Sequence, residues 1–359
     1  MRFEILREQQ YREYEDFVAG HPAGGFTQSW HWQEVKNNWK FAAVVCRGQN
    51  GKILGSCGLL IQPLSCLRSA FLYSPRGPVC DPGDGGVLAC LKEGIDAVAA
   101  QYHAHSIKCD PEFLAGDRVL LANMERLGFR RSWGSDGFEG IQARVNYQLP
   151  IAGRTEQQLL AALPQKTRYN IRYAVKHGVT VAPGGAQALD DFMRIYRVTG
   201  ERDGFSTRPR EYFARMLEAF GDNIRLYLGY CNGRAICGAV TLNYGGRCCY
   251  VYGASDNACR NLMPNYLLQW EMIRWAVATG CRVYDFQGIS GELDNEQNPR
   301  YGLYRFKRGF GGEVVELAGE FDFVYRPLVY RMVNHWLARN KKAKERKGHT
   351  HGTVRNAAL

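Results

Sequence analysis

Short apolar runs flank an Asn-Gly turn twice in this chain. Phe41-Ala42-Ala43-Val44-Val45-Cys46 leads to Asn50-Gly51-Lys52 and resumes as Cys57-Gly58-Leu59-Leu60-Ile61. Much later, Arg225-Leu226-Tyr227-Leu228-Gly229-Tyr230 leads to Asn232-Gly233-Arg234 and resumes as Cys237-Gly238-Ala239-Val240-Thr241. Asn-Gly supplies the positive φ values of a tight turn, so each block predicts an antiparallel hairpin. Beyond each hairpin the apolar period changes to that of a helix, with Leu88, Leu91, Ile95 and Val98 in the first half and Leu267, Trp270, Ile273 and Val277 in the second. Each helix precedes a short strand ending in aspartate, Ile107-Lys108-Cys109-Asp110 or Val283-Tyr284-Asp285-Phe286. Then come Leu127-Gly128-Phe129 and Arg308-Gly309-Phe310. The pairs Gly51/Gly233, Asp110/Asp285 and Gly128/Gly309 recur at nearly one offset, which predicts a duplicated domain.

The repeated order of hairpin, helix, strand, helix, strand is that of the GNAT acyltransferase fold. The expected class is therefore α+β, two tandem GNAT-like domains, each a mixed sheet flanked by helices. The expected boundaries are 1–148 with 320–345 for the first domain and 149–319 for the second. A final helix, opened by Pro327 and carrying Leu328, Met332, Val333 and Trp336 on one face, has no sheet of its own and is expected to pack back on the first domain. Residues 346–359 read as a basic, flexible tail.

Composition narrows the class. With 359 residues, 45% of them hydrophobic, the chain can fill two cores. No 18-residue apolar run occurs, and the charged start Met1-Arg2-Phe3-Glu4 lacks a signal peptide's apolar stretch, which argues against membrane-spanning and secreted classes. Twelve cysteines without a Cys-x-x-Cys pair, several in strand-like runs (Cys46, Cys57, Cys109, Cys237), read as reduced, buried thiols of a cytoplasmic protein. His103-x-His105 and His349-x-His351 have no ligand company, so no metal is assigned. The net charge of +11 is uneven: Arg339 to Lys347 holds six cations against one anion. That run fits a frayed terminus or a patch meeting nucleic acid or the inner membrane face.

A coenzyme A-dependent GNAT enzyme holds pyrophosphate on glycine-rich backbone N–H groups at a helix N-terminus. Here the matching place reads Arg260-Asn261-Leu262-Met263-Pro264-Asn265, without glycine and with a proline that removes an N–H. The first half offers Gly83-Asp84-Gly85-Gly86, whose aspartate would repel phosphate.

Six ordered motifs then resemble the Fem family of peptidoglycan interpeptide-bridge aminoacyltransferases. They are Gln28-Ser29-Trp30-His31-Trp32 with Lys36; Pro75-Arg76-Gly77-Pro78-Val79; Lys166-Thr167-Arg168-Tyr169-Asn170-Ile171-Arg172; Tyr250-Val251-Tyr252-Gly253-Ala254-Ser255 with Arg260; Tyr284-Asp285-Phe286-Gln287-Gly288; and Gly302-Leu303-Tyr304-Arg305-Phe306-Lys307-Arg308-Gly309-Phe310. Phe205 leads directly through Arg208 and Tyr212 to Asp222, so the helical arm of some members is absent and the compact type is indicated.

The resemblance implies attack by a stem-peptide amine of a peptidoglycan precursor, nucleotide- or lipid-linked, on the ester of aminoacyl-tRNA carrying a Gly, Ala or Ser class amino acid. No cofactor is implied beyond that co-substrate, and a monomer is expected. It places Lys307 at the developing oxyanion and Phe306 against the terminal adenine. Lys36 and Arg208 are placed on the precursor's diphosphate, and Tyr212 and Tyr252 on its sugar or peptide. Asp110 stands where a general base is proposed. From the residues alone, Lys307 also fits a strand edge, Asp110 a cap of Glu112 and Phe113, and Arg210 competes with Arg208. Arg168, Arg172 and Lys176 recur every four residues beside Tyr169 and Tyr173, a cationic helix face that fits either solvent or a tRNA acceptor stem. The rival classes are an acetyl-coenzyme A-dependent N-acetyltransferase and a non-catalytic RNA- or precursor-binding protein.

Overall fold

The structure, a computed structural model, describes residues 1–132, 137 and 140–347. The chain divides into two units, Met1–Arg144 with Glu316–Lys341, and a second built on Val145–Val315. In the first lie strands β1 (Arg2–Ile5), β2 (Lys40–Arg47), β3 (Ile53–Leu64), β4 (Ser69–Ser74), β5 (Val79–Cys80), β6 (Ala104–Cys109) and β7 (Arg130–Ser132). Its helices are α1 (Tyr11–Gly20), α2 (Trp32–Val35), α3 (Gly85–Gln101) and α4 (Arg118–Arg126). The second holds β8 (Val145–Pro150), β9 (Thr180–Gly184), β10 (Ile224–Cys231), β11 (Arg234–Tyr244), β12 (Arg247–Ser255), β13 (Val283–Gly288) and β14 (Glu313–Glu316). Its helices are α5 (Glu156–Ala162), α6 (Gln165–Lys176), α7 (Leu189–Asp203), α8 (Arg210–Phe220), α9 (Pro264–Ala278) and α10 (Tyr301–Arg308). Last come β15 (Glu320–Val324) and α11 (Pro327–Lys347).

Among the described residues each unit carries one mixed sheet, ordered β1-β2-β3-β4-β6-β15-β7 with β5 on β3, and β14-β8-β13-β12-β11-β10-β9. Both open as antiparallel meanders and then turn parallel, β4 to β6 and β12 to β13, across the crossover helices α3 and α9. The Asn-Gly turns sit where the apolar runs place them. At the second, Asn232 (φ 52°) and Gly233 (φ 75°) close a two-residue turn between β10 and β11. At the first, only Gly51 (φ 78°) is left-handed and the loop is longer, with the Gly48 N–H donating to the Lys52 carbonyl.

Two features depart from expectation. A third meander strand, β4 or β12, follows each hairpin; the second is entered through a further tight turn, Gly245-Gly246 (φ 58° and 78°), while the first follows Ser65–Leu67 without glycine or asparagine. Each sheet also takes the strand that follows the other repeat: β15 pairs with β6 and β7, and β8 pairs with β13. The expected boundary at 148 would cut β8, and the division falls after Arg144 for that reason. Most of the expected tail, 348–359 with His349 and His351, lies outside the described residues.

Each core forms where crossover helix meets sheet. Leu88, Leu91, Ile95 and Val98 of α3 bury against Val44, Leu59, Leu72 and Ile107, while Leu267, Trp270, Met272 and Ile273 of α9 bury against Ala239, Tyr284 and Phe286. Each fully buried side chain of this size contributes about 1.5–3 kcal/mol. The cysteines are free thiols, and burial pushes Cys57 and Cys237 up to about 12. Helix α11 departs from its expected packing. Val329, Tyr330 and Val333 are half-buried, but Leu328, Met332 and Trp336 stay exposed.

One side chain ties the Gln28–Trp32 motif to the Pro75–Val79 motif. The buried Gln28 amide donates to the carbonyls of Gly58 (3.2 Å) and Pro75 (2.8 Å) and to Ser74 Oγ, while its oxygen accepts from the Gly58 N–H (2.8 Å). Tyr14 and Thr27 add hydroxyl bonds to the Gln28 and Pro75 carbonyls. A Cβ at Gly77 would stand 2.2 Å from Ser74 Oγ and 2.7 Å from Gln28 Nε2, so glycine is needed for the close approach. Gln28→Leu keeps the volume but leaves the Gly58 N–H and carbonyl without their Gln28 partners and takes one of two donors from the Pro75 carbonyl. The expected loss is about 2–4 kcal/mol, read as a lower urea midpoint at unchanged slope; a midpoint within error of wild type would show that the staple carries no stability.

Candidate active site

Lys307 lies on α10, not on a strand edge, and is only 3% exposed. Its Nζ donates to the carbonyls of Gly288 (2.7 Å) and Gln287 (3.2 Å) at the end of β13. Those carbonyls face it because Gln287 is left-handed (φ 62°), and that turn is held by Asp285, whose Oδ1 accepts the Gln287 N–H at 2.7 Å. Gln148 donates to Asp285 Oδ2 at 2.9 Å, and Arg247 stands 3.8 Å from the same oxygen. Burial lowers the Lys307 pKa from 10.5 to about 7, with Asp285 acting in the opposite sense. Near neutrality this is an ammonium poised to lose its charge, in a site that excludes water.

The rest of α10 orders that lysine. Phe306, half-buried, packs edge-on against Tyr266 (5.1 Å) and Phe310 (5.5 Å). The Thr167 hydroxyl of α6 donates to the Gly309 carbonyl, joining the two helices where Arg305 and Arg308 stand exposed. Along α6 and its C-cap, Tyr169, Tyr173 and His177 form an aromatic ladder, with Tyr173 and His177 stacked at 3.8 Å and Arg172 and Lys176 exposed alongside. Arg168 departs from the expected stripe: its guanidinium turns back to donate to the Ala161 and Leu163 carbonyls at the end of α5, a structural cap.

Arg208, Tyr212 and Tyr252 come together. The Arg208 guanidinium stands 5.4 Å from the Tyr212 ring, and the Tyr252 hydroxyl donates to the Tyr212 hydroxyl at 3.2 Å. Phe213 and Tyr196 close the cluster, at 5.0 and 6.2 Å from the Tyr252 ring. Burial raises the Tyr212 and Tyr196 pKa values, so both stay protonated donors. Arg210 instead pairs with Asp190 at 2.7 Å, which separates it from this cluster.

In the first unit Asp110 is 2% exposed and caps neither Glu112 nor Phe113. Its oxygens accept from the Tyr73 hydroxyl (2.9 Å) and the Arg76 N–H (2.7 Å). Burial raises its pKa to about 6 against the pull of Arg76, leaving a carboxylate that titrates close to neutrality. Arg76, itself left-handed (φ 59°), pairs with Glu112 and donates to the Ala143 carbonyl. Lys36 ends α2 half-buried, its ammonium 5.8 Å over the Trp32 ring. Sequence reasoning assigned no role to Tyr73, Arg76, Gln148, Asp285 or Gln287; Arg76, Asp285 and Gln287 lie inside quoted motifs and Tyr73 beside one, whereas Gln148 lies in none.

The model of the FemAB family matches residues 10–236 and 232–336. The protein belongs to the FemAB family. Among curated relatives, the lipid II:glycine glycyltransferase of Staphylococcus haemolyticus (strain JCSC1435) is 27% identical over 93% of this chain and 96% of its own. That of Staphylococcus aureus (strain USA300) is 26% identical at the same coverage. The alignment to the first spans 404 positions, more than this FemAB chain's 359 residues, so that relative carries segments absent here. Among solved structures, FemX matches with a TM-score of 0.84 at 25% identity, over 93% of this chain and all of that one. A tandem GNAT protein from the clavulanic acid pathway matches at 0.56 and 13% identity, over 90% of this chain and 98% of that one, which shows the tandem GNAT-like fold.

The depressed Lys307 pKa has a thermodynamic consequence of fixed sign. Folded protein releases the proton near pH 7 while the unfolded chain keeps it to about 10.5, so stability rises with pH across that window. In thermal melts of wild type and Lys307→Met, the difference should move in favour of wild type between about pH 7 and pH 10. A difference independent of pH would show that Lys307 stays charged when folded.

Proposed function

We propose that this FemAB-family aminoacyltransferase moves glycine, or another amino acid of the Gly, Ala or Ser class, from aminoacyl-tRNA to the stem-peptide amine of lipid II. The observation that carries the reading is Lys307, a buried lysine with a pKa lowered to about 7, on α10 facing the end of β13, beside a cationic helix surface and the Phe306 ring. The ester of an aminoacyl-tRNA is already activated. The enzyme must align an amine with it and stabilise the oxygen that becomes negative. In this reading the amine nitrogen bonds the ester carbon, the carbon–ribose oxygen bond breaks, and the proton released by nitrogen passes to the ribose oxygen. Lys307 supplies the cation for the transient oxyanion, and Phe306 stacks on the terminal adenine. Exposed Arg172, Lys176, Arg305 and Arg308 meet the acceptor-stem phosphates.

For the precursor, Arg208 is assigned to a diphosphate oxygen pair and Lys36 to a further phosphate charge, with Tyr212 and Tyr252 as hydroxyl donors to the sugar or peptide. Asp110 is assigned the positioning of Arg76, since both of its oxygens already accept hydrogen bonds. Two observations weigh against a coenzyme A donor. The Asp84 carboxylate itself accepts the Gly86 and Val87 N–H groups at 3.0 Å at the start of α3. At the start of α9, Pro264 offers no N–H and follows left-handed Met263.

The direct test is incubation with a mixed pool of aminoacyl-tRNAs and, in parallel, lipid-linked and nucleotide-linked precursor. A mass gain of one glycyl residue on the lipid-linked form is expected, and acetyl transfer from acetyl-coenzyme A, or no product with any donor, would overturn the reading. Lys307→Met should lower kcat and kcat/KM together by about 10²–10³-fold, as expected for an interaction made in the transition state. If KM for aminoacyl-tRNA rises instead at constant kcat, the lysine binds a phosphate. Arg208→Ala should raise the precursor KM about 10- to 100-fold, the equivalent of one charge-assisted contact, and leave the tRNA KM alone; equal effects on both would remove the assignment.

A further inference from the structure

Helix α11 ends the described chain with an apolar face that the first unit leaves uncovered. Leu328, Met332 and Trp336 follow one another at four-residue steps and are 75%, 57% and 61% exposed. A second row at the same step, Arg331, His335 and Arg339, is exposed beside them. Val329, Tyr330 and Val333, on the other side of the helix, are the half-buried residues that seat it on the first unit. The helix is therefore anchored on one side and presents a tryptophan-bearing apolar row edged with cations on the other.

Arg326, the residue before α11, lines a cavity of about 700 Å³ with Arg68, His103, Phe323, Tyr325 and Asp96. Arg68, His103 and Arg326 are exposed at it. The one carboxylate, Asp96, is paired with Lys92 at 2.7 Å and accepts the Tyr325 hydroxyl at 2.6 Å. The cavity thus presents uncompensated positive charge to an incoming anion. Beyond Arg339 the sequence adds Lys341, Lys342, Lys344, Arg346 and Lys347 against Glu345. No helix among the described residues is long and apolar enough to cross a membrane. An apolar row with an interfacial tryptophan, flanked by Arg and Lys, is the composition of a helix that lies in the plane of an anionic bilayer, its apolar side chains in the acyl boundary and its cations on the headgroups.

We propose that α11 and the adjoining Arg68–Arg326 cavity form a peripheral docking surface for an anionic phospholipid bilayer, with Leu328, Met332 and Trp336 inserted and a lipid phosphate held at the cavity. Apolar and cationic rows side by side decide for lipid over two other occupants. A nucleic acid would leave Leu328, Met332 and Trp336 without a partner. A second copy of this chain would bring like-charged Arg331 and Arg339 rows together. The inference needs no transfer reaction, so it stands or falls separately from the proposed activity.

The test uses the full chain and vesicles free of any precursor, of phosphatidylcholine alone or with phosphatidylglycerol in equal parts, read by co-sedimentation. Binding to the anionic vesicles and not to phosphatidylcholine is expected, weakened by salt. Met332→Glu/Trp336→Glu and Arg331→Glu/Arg339→Glu should each lower the partition constant by about tenfold or more. Arg68→Glu/Arg326→Glu should lower it by a smaller factor. All these positions are exposed, so folding should survive, and circular dichroism checks it; Val119→Glu, an equally exposed apolar site on α4, should bind as wild type. Failure of wild type to bind, or equal binding by the Met332/Trp336 variant, would overturn the proposal. So would a concentration-dependent dimer abolished by Trp336→Glu, which would make the face a self-association surface. Loss of tRNA binding in the charge-reversal variant with vesicle binding intact would assign the cations to RNA and overturn it as well.

Discussion

The candidate active site depends on the hydrogen bond from the Gln287 N–H to Asp285. A non-glycine residue in the left-handed region costs roughly 1–2 kcal/mol, and a hydrogen bond to a carboxylate returns about 1.5–3 kcal/mol. The two are of the same size, so the bond is sufficient to hold the turn. The turn aims two successive carbonyls, Gln287 and Gly288, at one point, and Lys307 Nζ occupies that point. Burial then does the chemical tuning, because the carbonyls give the lysine partners without giving it a counter-ion at contact. Had Asp285 touched Nζ directly, the pKa would have been held up and the ammonium would carry a neutralised charge. As built, the carboxylate holds the backbone and the backbone holds the lysine.

The duplicate aspartate holds a left-handed residue too, but on another segment: Asp110 follows β6 and reaches the end of β4, whereas Asp285 holds a residue of its own strand. Asp110 accepts the N–H of Arg76, left-handed at φ 59°, as Asp285 accepts that of Gln287 at φ 62°. In both units the carboxylate stabilises a left-handed conformation that a non-glycine residue does not adopt cheaply. What the turn then presents differs as well. In the first unit it leads through Gly77 into a loop stapled by Gln28, all of it backbone architecture. In the second it presents acceptors to a cation.

This difference marks how far the sequence could be read. Hairpins, crossover helices and the paired aspartates were legible because turn chemistry and apolar period are local, and the pairs recur at nearly one offset. The exchange of β8 and β15 was not, since partner choice between edge-compatible strands is a long-range matter that neither strand's composition states. Lys307 could be picked out by its motif but was open to a strand-edge reading; Arg305, Lys307 and Arg308 look alike in a row of cations, and only the helical turn separates the buried one from the two exposed ones. Arg168 illustrates the converse. A four-residue period placed it with Arg172 and Lys176, yet the open carbonyls at the end of α5 capture it first. Lys36, Arg208, Tyr212 and Tyr252 required the family pattern, because an arginine near a tyrosine says nothing by itself.

The two helix N-termini that follow the meanders explain why a GNAT-like fold should lead to this arrangement. In such a fold the crossover helix begins where the parallel strands diverge, and its free N–H groups form the natural anion site. Here α3 spends those groups on its own Asp84, and α9 starts with a proline. With the α3 end occupied and the α9 end short of one N–H, the fold retains its sheet and crossover but offers a phosphate fewer backbone donors. The position used, Lys307 on α10, faces the end of β13, the other edge of the same strand divergence. Under the proposed function, the donor's developing charge would be met by a side chain in a dry pocket instead of by backbone N–H groups. A backbone cradle recognises a phosphate through fixed dipoles, whereas a lysine with a pKa near neutrality can strengthen its interaction as negative charge develops on the reacting oxygen. That is the requirement of an acyl transfer from an ester, where the charge appears only as the bond forms.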